Sequence, residues 1–182
     1  MLIRLLNLLG LLGVSLVRLV AFYFQLFHHD VPCPICLLQR GCFVALGIGF
    51  ALNLSAGPSR LHDAMMLVSG LLGAGTALRQ LLLHIAPGDA GYGPPLLGVH
   101  FYTWALVAFA ASILYVALLL FVEAREDVSA RRRAEAPGLL GRLALWLFVL
   151  VVGANLLSTL LECGFGACAE NPTSYEWLGP KA

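Results

Sequence analysis

Four of the five cysteines in this 182-residue chain fall into two close pairs, Cys33-Pro34-Ile35-Cys36 and Cys163 with Cys168; Cys42 stands apart. Two cysteines spaced by two residues at the start of a helix put their sulfurs about one turn apart, close enough to bond. The positive end of the helix dipole there favours a thiolate, and Pro34 suits the first helical turn, where no backbone donor is needed. The chemistry on offer is thiol–disulfide exchange. The same residues would also serve a purely structural disulfide, or a zinc site recruiting Cys163 and Cys168 with His28 or His29.

The elements that position these cysteines are membrane spans. Hydrophobic residues make up 60% of the chain and charged residues only 12%, too apolar a balance for a water-soluble core. The net charge of +1 gives no sign of a nucleic-acid partner. Five apolar stretches reach the roughly 20 residues that a helix needs to cross a bilayer: Leu5 to Phe27, Pro34 to Ser55, Ala64 to Ala86, Phe101 to Val122 and Leu143 to Leu161. The first is read as a retained span rather than a signal peptide, because Arg18 interrupts it and no small-residue cleavage site follows. One set of connections carries Arg4, Arg60, Arg125, Arg131, Arg132, Arg133 and Arg142, and the other only Lys181. The basic set is expected in the cytoplasm, which puts the N-terminus inside, the C-terminus outside, and both cysteine pairs on the outer face, where disulfides persist.

Three arginines lie inside the spans. Arg18, Arg40 and Arg79 each cost ~3 kcal/mol or more at depth unless paired or hydrated. Arg40 follows Cys36 by four residues, on the same helix face and ~6 Å further down. A guanidinium there can hydrogen-bond a quinone carbonyl and stabilise both a neighbouring thiolate and the charge developing on the quinone. Arg18 and Arg79 are open to a blander reading, snorkelling to the headgroups, although Arg79 is the next candidate for the quinone site. Gln25, Gln39, Gln80 and His84 gather near the same rim, where they line a polar pocket or satisfy one another. His28, His29 and His100 are read as interfacial, and Tyr102 with Trp104 as part of the interfacial aromatic belt. Gly57-Pro58-Ser59 breaks the chain between spans two and three. The Gly- and Pro-rich segment from Pro87 to Pro95 makes a short outer loop, and residues 123–137 a solvated cytoplasmic connection. Gly70, Gly73 and Ala77 share one face of span three at a spacing that permits close helix packing. The last stretch, 169–182, reads as an irregular tail.

Taken together, Tyr23-Phe24-Gln25 and Pro32-Cys33-Pro34-Ile35-Cys36-Leu37-Leu38-Gln39-Arg40 resemble the DsbB family of disulfide bond formation proteins. The resemblance implies a four-helix membrane bundle that oxidises a periplasmic thioredoxin-like protein of the DsbA type and passes electrons to ubiquinone or menaquinone. It implies that Cys33 and Cys36 are the quinone-proximal redox pair, with Cys36 facing the quinone and Cys33 exchanging with a second pair, and that Arg40 binds the quinone. The chain departs from the family pattern in three respects. No cysteine stands between spans three and four; the candidate second pair, Cys163 and Cys168, follows a fifth span; and Gln39 occupies a position where many members have Glu. The Cys163/Cys168 tail is similar to that of a DsbB-like subgroup.

The expected fold is all-α, a four-helix transmembrane bundle with a fifth transmembrane helix packed outside it, forming one membrane domain over residues 1–182. The expected function is quinone-dependent thiol oxidation in the bacterial inner membrane, with electrons passing from a DsbA-type partner to Cys163/Cys168, then to Cys33/Cys36, then to a membrane quinone held near Arg40 and Arg79. A vitamin K epoxide reductase-like protein is the rival enzymatic reading, but there the loop cysteines precede the CxxC. A membrane scaffold or metal-binding protein with structural outer cysteines is the non-enzymatic rival.

Overall fold

Side-chain caps start two of the helices, and a glycine ends another. The computed structural model describes residues 2–28, 31–93, 95–125, 137–169, 172 and 175–178; Arg131, Arg132, Arg133, Lys181 and His29 lie outside the described residues. The helices are α1 (Leu2–Phe27), α2 (Pro34–Ser55), α3 (Arg60–Leu83), α4 (Phe101–Ala124) and α5 (Leu139–Cys163). Cys33 caps α2, its Sγ accepting from the Cys36 N–H at 3.2 Å, with Pro34 in the first turn. Ser59 caps α3 by accepting from the Leu61 N–H at 3.3 Å, so that helix begins four residues before the expected Ala64. Gly164, at φ 59°, takes the left-handed conformation that ends α5. That helix therefore includes Glu162 and Cys163, two residues beyond the expected end.

All five helices are long and apolar enough to cross a membrane, and among the described residues the only sheet-like pairing is an isolated bridge between Leu96 and Val99. The protein is thus an all-helical, multi-pass membrane protein. Helices α1 to α4 form a ring: α1 packs on α2, α2 on α3, α3 on α4, and α4 closes on α1 more lightly. Helix α5 rests outside, against α1 and α2. Large apolar side chains such as Leu72, Leu114, Trp146 and Leu150 are exposed, as lipid-facing residues are. Because lipid removes the hydrophobic drive for helices to associate, close packing and polar links must hold them. In the middle, Leu11, Leu46, Phe50, Met66, Phe109 and Val116 fill the core. The faces of α3 and α4 meet where Gly73 receives the Phe109 ring and Gly70 the Ile113 side chain.

Polar links tie the bundle at both ends. At the end away from the cysteine pairs, Asn53 is a hub. It donates to Asn7 and Asp63, each at 3.0 Å, and its oxygen accepts from the Ser59 backbone N–H at 3.2 Å. The Tyr115 hydroxyl joins α4 to α1 by donating to the Leu6 carbonyl at 2.7 Å. The other end holds the candidate site.

Candidate redox site

Capping fixes the first cysteine pair. Cys33 and Cys36 are disulfide-bonded, with Cα atoms 5.0 Å apart. Gln80 of α3 presents its amide to both sulfurs, Nε2 lying 3.4 Å from Cys33 Sγ and 3.5 Å from Cys36 Sγ. That orientation is held from behind, because Gln39 Nε2 donates to Gln80 Oε1 at 2.8 Å.

One turn down α2, Arg40 Nη1 donates to Gln25 Oε1 of α1 at 2.6 Å and to Asn155 Oδ1 of α5 at 3.3 Å. Arg18 is buried and does not snorkel; its Nη1 donates to the Arg40 carbonyl at 2.7 Å. Gln25 uses its own Nε2 to reach Ser158 Oγ at 2.7 Å and Tyr175 Oη at 2.8 Å. Helices α1, α2 and α5 and the tail thus share one polar network within the bundle, where such bonds are strengthened by low dielectric.

Beside this network lies a cavity of about 340 Å³. Its walls are mainly apolar, with Leu16, Val20 and Phe24 from α1 and Phe101, Trp104, Ala105 and Ala108 from α4. Cys36, Gln39, Arg40, Gln80, Arg18 and Asn155 supply the polar part of the lining. Tyr102 and Trp104, expected at the lipid interface, belong to this lining, and the Trp104 indole donates to the Leu96 carbonyl at 3.0 Å. His84 pairs with Asp89 at 3.1 Å in the loop above, where the Gly91 N–H, and then His84, hold the Asp89 carboxyl below its ordinary range.

The second cysteine pair sits at the same end of the bundle. Cys163 and Cys168 are disulfide-bonded with Cα atoms 4.6 Å apart, Cys163 buried and Cys168 half-buried. The tail folds back onto α5: the Glu176 N–H donates to the Glu162 carbonyl at 3.2 Å and the Trp177 N–H to the Leu161 carbonyl at 3.1 Å. The Trp177 ring meets Phe165 edge-on with centroids 5.5 Å apart. Cys42 is unbonded and outside the cavity lining.

A family model, described as disulfide bond formation protein DsbB, matches residues 3–93. The chain belongs to the DsbB family. Disulfide bond formation protein B of Burkholderia thailandensis is 30% identical over 151 residues, covering 64% of this chain and 88% of the relative. Its namesake in Burkholderia ambifaria is 29% identical over 158 residues, covering 68% and 91%. The protein of that name in Xanthomonas axonopodis pv. citri is 33% identical over 96 residues, covering 49% and 56%. No solved structure matches the chain. The DsbB model spans α1 to α3 and the following loop, so Cys33, Cys36 and Arg40 fall within it, and Cys163 and Cys168 outside.

Of the residues expected from sequence, Cys36 and Arg40 line one cavity and Cys33 is bonded to Cys36. Arg79 is exposed on α3 and outside that lining. Asn155, Ser158, Glu162 and Tyr175 were missed. The signal for the first three was there: polar residues at 155, 158 and 162 of an apolar span recur at helical spacing and so share a face.

Proposed function

We propose that the protein is a thiol:quinone oxidoreductase of the bacterial inner membrane, which oxidises the dithiol of a periplasmic thioredoxin-like protein of the DsbA type and delivers the electrons to ubiquinone or menaquinone. The observation that carries this reading is that Cys36 and Arg40 line the same mainly apolar cavity. A quinone, when bound, supplies two-electron acceptance. The cavity fits such a molecule: its walls are apolar, its polar groups are few, and the buried Arg18 Nε has no hydrogen-bond partner among the described residues.

Within this reading each residue has a defined task. Arg40, braced by Gln25 and Asn155, holds a carbonyl oxygen and stabilises negative charge developing on it. Gln80 donates to the sulfurs and favours the thiolate over the thiol. The second pair is the relay to the soluble partner, which reaches Cys168 more readily than the buried Cys163. Electrons then pass from Cys163/Cys168 to Cys33/Cys36, each transfer being thiolate attack on a disulfide. Arg4, Arg60, Arg125 and Arg142 all sit at the end of the bundle opposite the cysteines. The positive-inside rule makes that end cytoplasmic and the cysteine end periplasmic.

The test is quinone reduction by the purified protein with a reduced DsbA-type protein or with dithiothreitol. The double variant Cys163→Ser, Cys168→Ser should be inactive with the protein dithiol and active with dithiothreitol, which can reach Cys33 and Cys36 directly. Full activity of the double variant with the protein dithiol would show that the partner attacks the first pair.

A further inference from the structure

Glu162 is unaccounted for by the reading above. It is 5% exposed, and neither carboxyl oxygen has a hydrogen-bond partner among the described residues. Leaving a buried carboxyl without partners is costly, so its retention in the last turn of an apolar helix calls for a reason. Its position supplies one. Counting along α5, Asn155, Ser158 and Glu162 share a face. Asn155 binds Arg40, Ser158 binds the Gln25 that also binds Arg40, and Glu162 lies within electrostatic reach of the Arg40 guanidinium. Cys163 is the next residue. Glu162 therefore stands between the tail disulfide and the Arg40 cluster.

We propose that Glu162 carries protons between the Cys163/Cys168 pair and the site at Arg40. The proposal rests on the relay reading above. Oxidising the tail dithiol to a disulfide releases two electrons and two protons. The electrons leave by disulfide exchange with Cys33–Cys36, and the two-electron, two-proton acceptor of the quinone class needs both protons back. Glu162 accepts a proton as a tail thiol becomes a thiolate, gives it up on the Arg40 side, and is restored for the second. Ser158 and Tyr175 each accept a bond from Gln25, which leaves their hydroxyl hydrogens to donate, so they offer intermediate stations. Among the described residues on the elements packed here, Arg18 is held to the Arg40 carbonyl, Tyr175 to Gln25, and Glu176 by its backbone N–H to the Glu162 carbonyl, while Cys163 is the next residue along.

The test uses the full-length protein carrying Cys33→Ser and Cys36→Ser, so that only the tail pair changes state and no quinone turnover is needed. Reduction by dithiothreitol, followed by infrared difference spectroscopy, should show a carboxyl band that is lost in Glu162→Gln, displaced in Glu162→Asp and kept in Glu176→Gln. In the protein with all its cysteines, Glu162→Gln should slow dithiol-driven quinone reduction about tenfold or more near neutral pH. The deficit should shrink as pH rises and hydroxide replaces the missing base, and Glu162→Asp should restore part of the rate. Absence of the carboxyl band, or a Glu162→Gln pH profile superimposable on the parent's, overturns the proposal. If Glu162→Gln does not assemble, the Glu162→Asp band decides: one that fails to move overturns it equally. Failure of the relay reading shows separately, as full activity of the Cys163→Ser, Cys168→Ser protein with a protein dithiol.

Discussion

Sulfur chemistry in this protein is assigned by hydrogen bonds as much as by spacing. Cys33 and Cys36 have the Gln80 amide directed at them, and Cys33 also accepts the Cys36 backbone N–H. Cys42, two turns into α2, packs beside the core as a small apolar residue. We expect Cys33→Ser or Cys36→Ser to abolish quinone reduction and Cys42→Ser to leave it within about twofold of the parent, since serine matches the cysteine in volume; steady-state assays of folded protein check both. Arg40→Gln should raise the apparent KM for quinone and slow the thiol-to-quinone step by about tenfold to a hundredfold, as loss of a charged donor at a developing anion does. Exchange among the cysteines should survive that change, because the Gln80 amide is directed at both sulfurs and stays in place; stopped-flow thiol exchange and quinone kinetics separate the two steps. Cys33, Cys36 and Arg40 were legible in the sequence because their spacing is local and the helix geometry is fixed. Arg18 was not. Its acceptor is the backbone carbonyl of Arg40 on another helix, so burial without snorkelling could not be read from a lone arginine in an apolar span. The partners of Gln25 were equally hidden, lying 133 and 150 positions away at Ser158 and Tyr175.

At the scale of the helices, the close-packing face of α3 was legible, whereas its partner α4 and the docking of α5 were not. Gly70, Gly73 and Ala77 share one face of α3, and that face is where α4 packs: Phe109 lies over Gly73, Ile113 over Gly70, and Ala77 is fully buried. A side chain at Gly73 would collide with the Phe109 ring, whereas one at Gly75 would meet open space. Gly73→Val should therefore destabilise the protein by about 1–3 kcal/mol, while Gly75→Ala should be neutral or gain up to about 1 kcal/mol from helix propensity. Thermal unfolding in detergent distinguishes them, and equal behaviour of the two variants would mean that α3 and α4 do not meet as described. Helix α5 seats Phe148 over Gly47 of α2 and reaches Arg40 and Gln25 through Asn155 and Ser158. The polar face of α5 could be read from the spacing of 155, 158 and 162, but a single glycine in one span and a few polar residues in another carry no sequence marker that they belong together, so where that face docks emerged only from the structure.

For the whole molecule, both cysteine pairs lie at one end of a bundle of five helices long and apolar enough to cross a membrane. With the orientation proposed above, an impermeant thiol reagent applied from the periplasm after reduction should label Cys163 and Cys168, and a tag inserted after Ala130 should be reached only from the cytoplasm; labelling of the tail from the cytoplasm would remove it from the electron path. The two polar ends of the bundle are separated by the fully buried Leu11, Leu46, Phe50, Val116 and Leu119. That layer of apolar side chains keeps the two polar ends of the bundle apart. Both disulfides, Arg40 and Glu162 lie on one side of it, so on the reading proposed above electrons and protons would enter and leave without crossing. An elementary charge carried through the bilayer would gain or lose about 2.3 kcal/mol per 100 mV of membrane potential. Under the function proposed above none is carried, so turnover would be electroneutral: the membrane potential would neither drive nor brake it, and the redox states of the thiol donor and of the quinone pool together would set its direction.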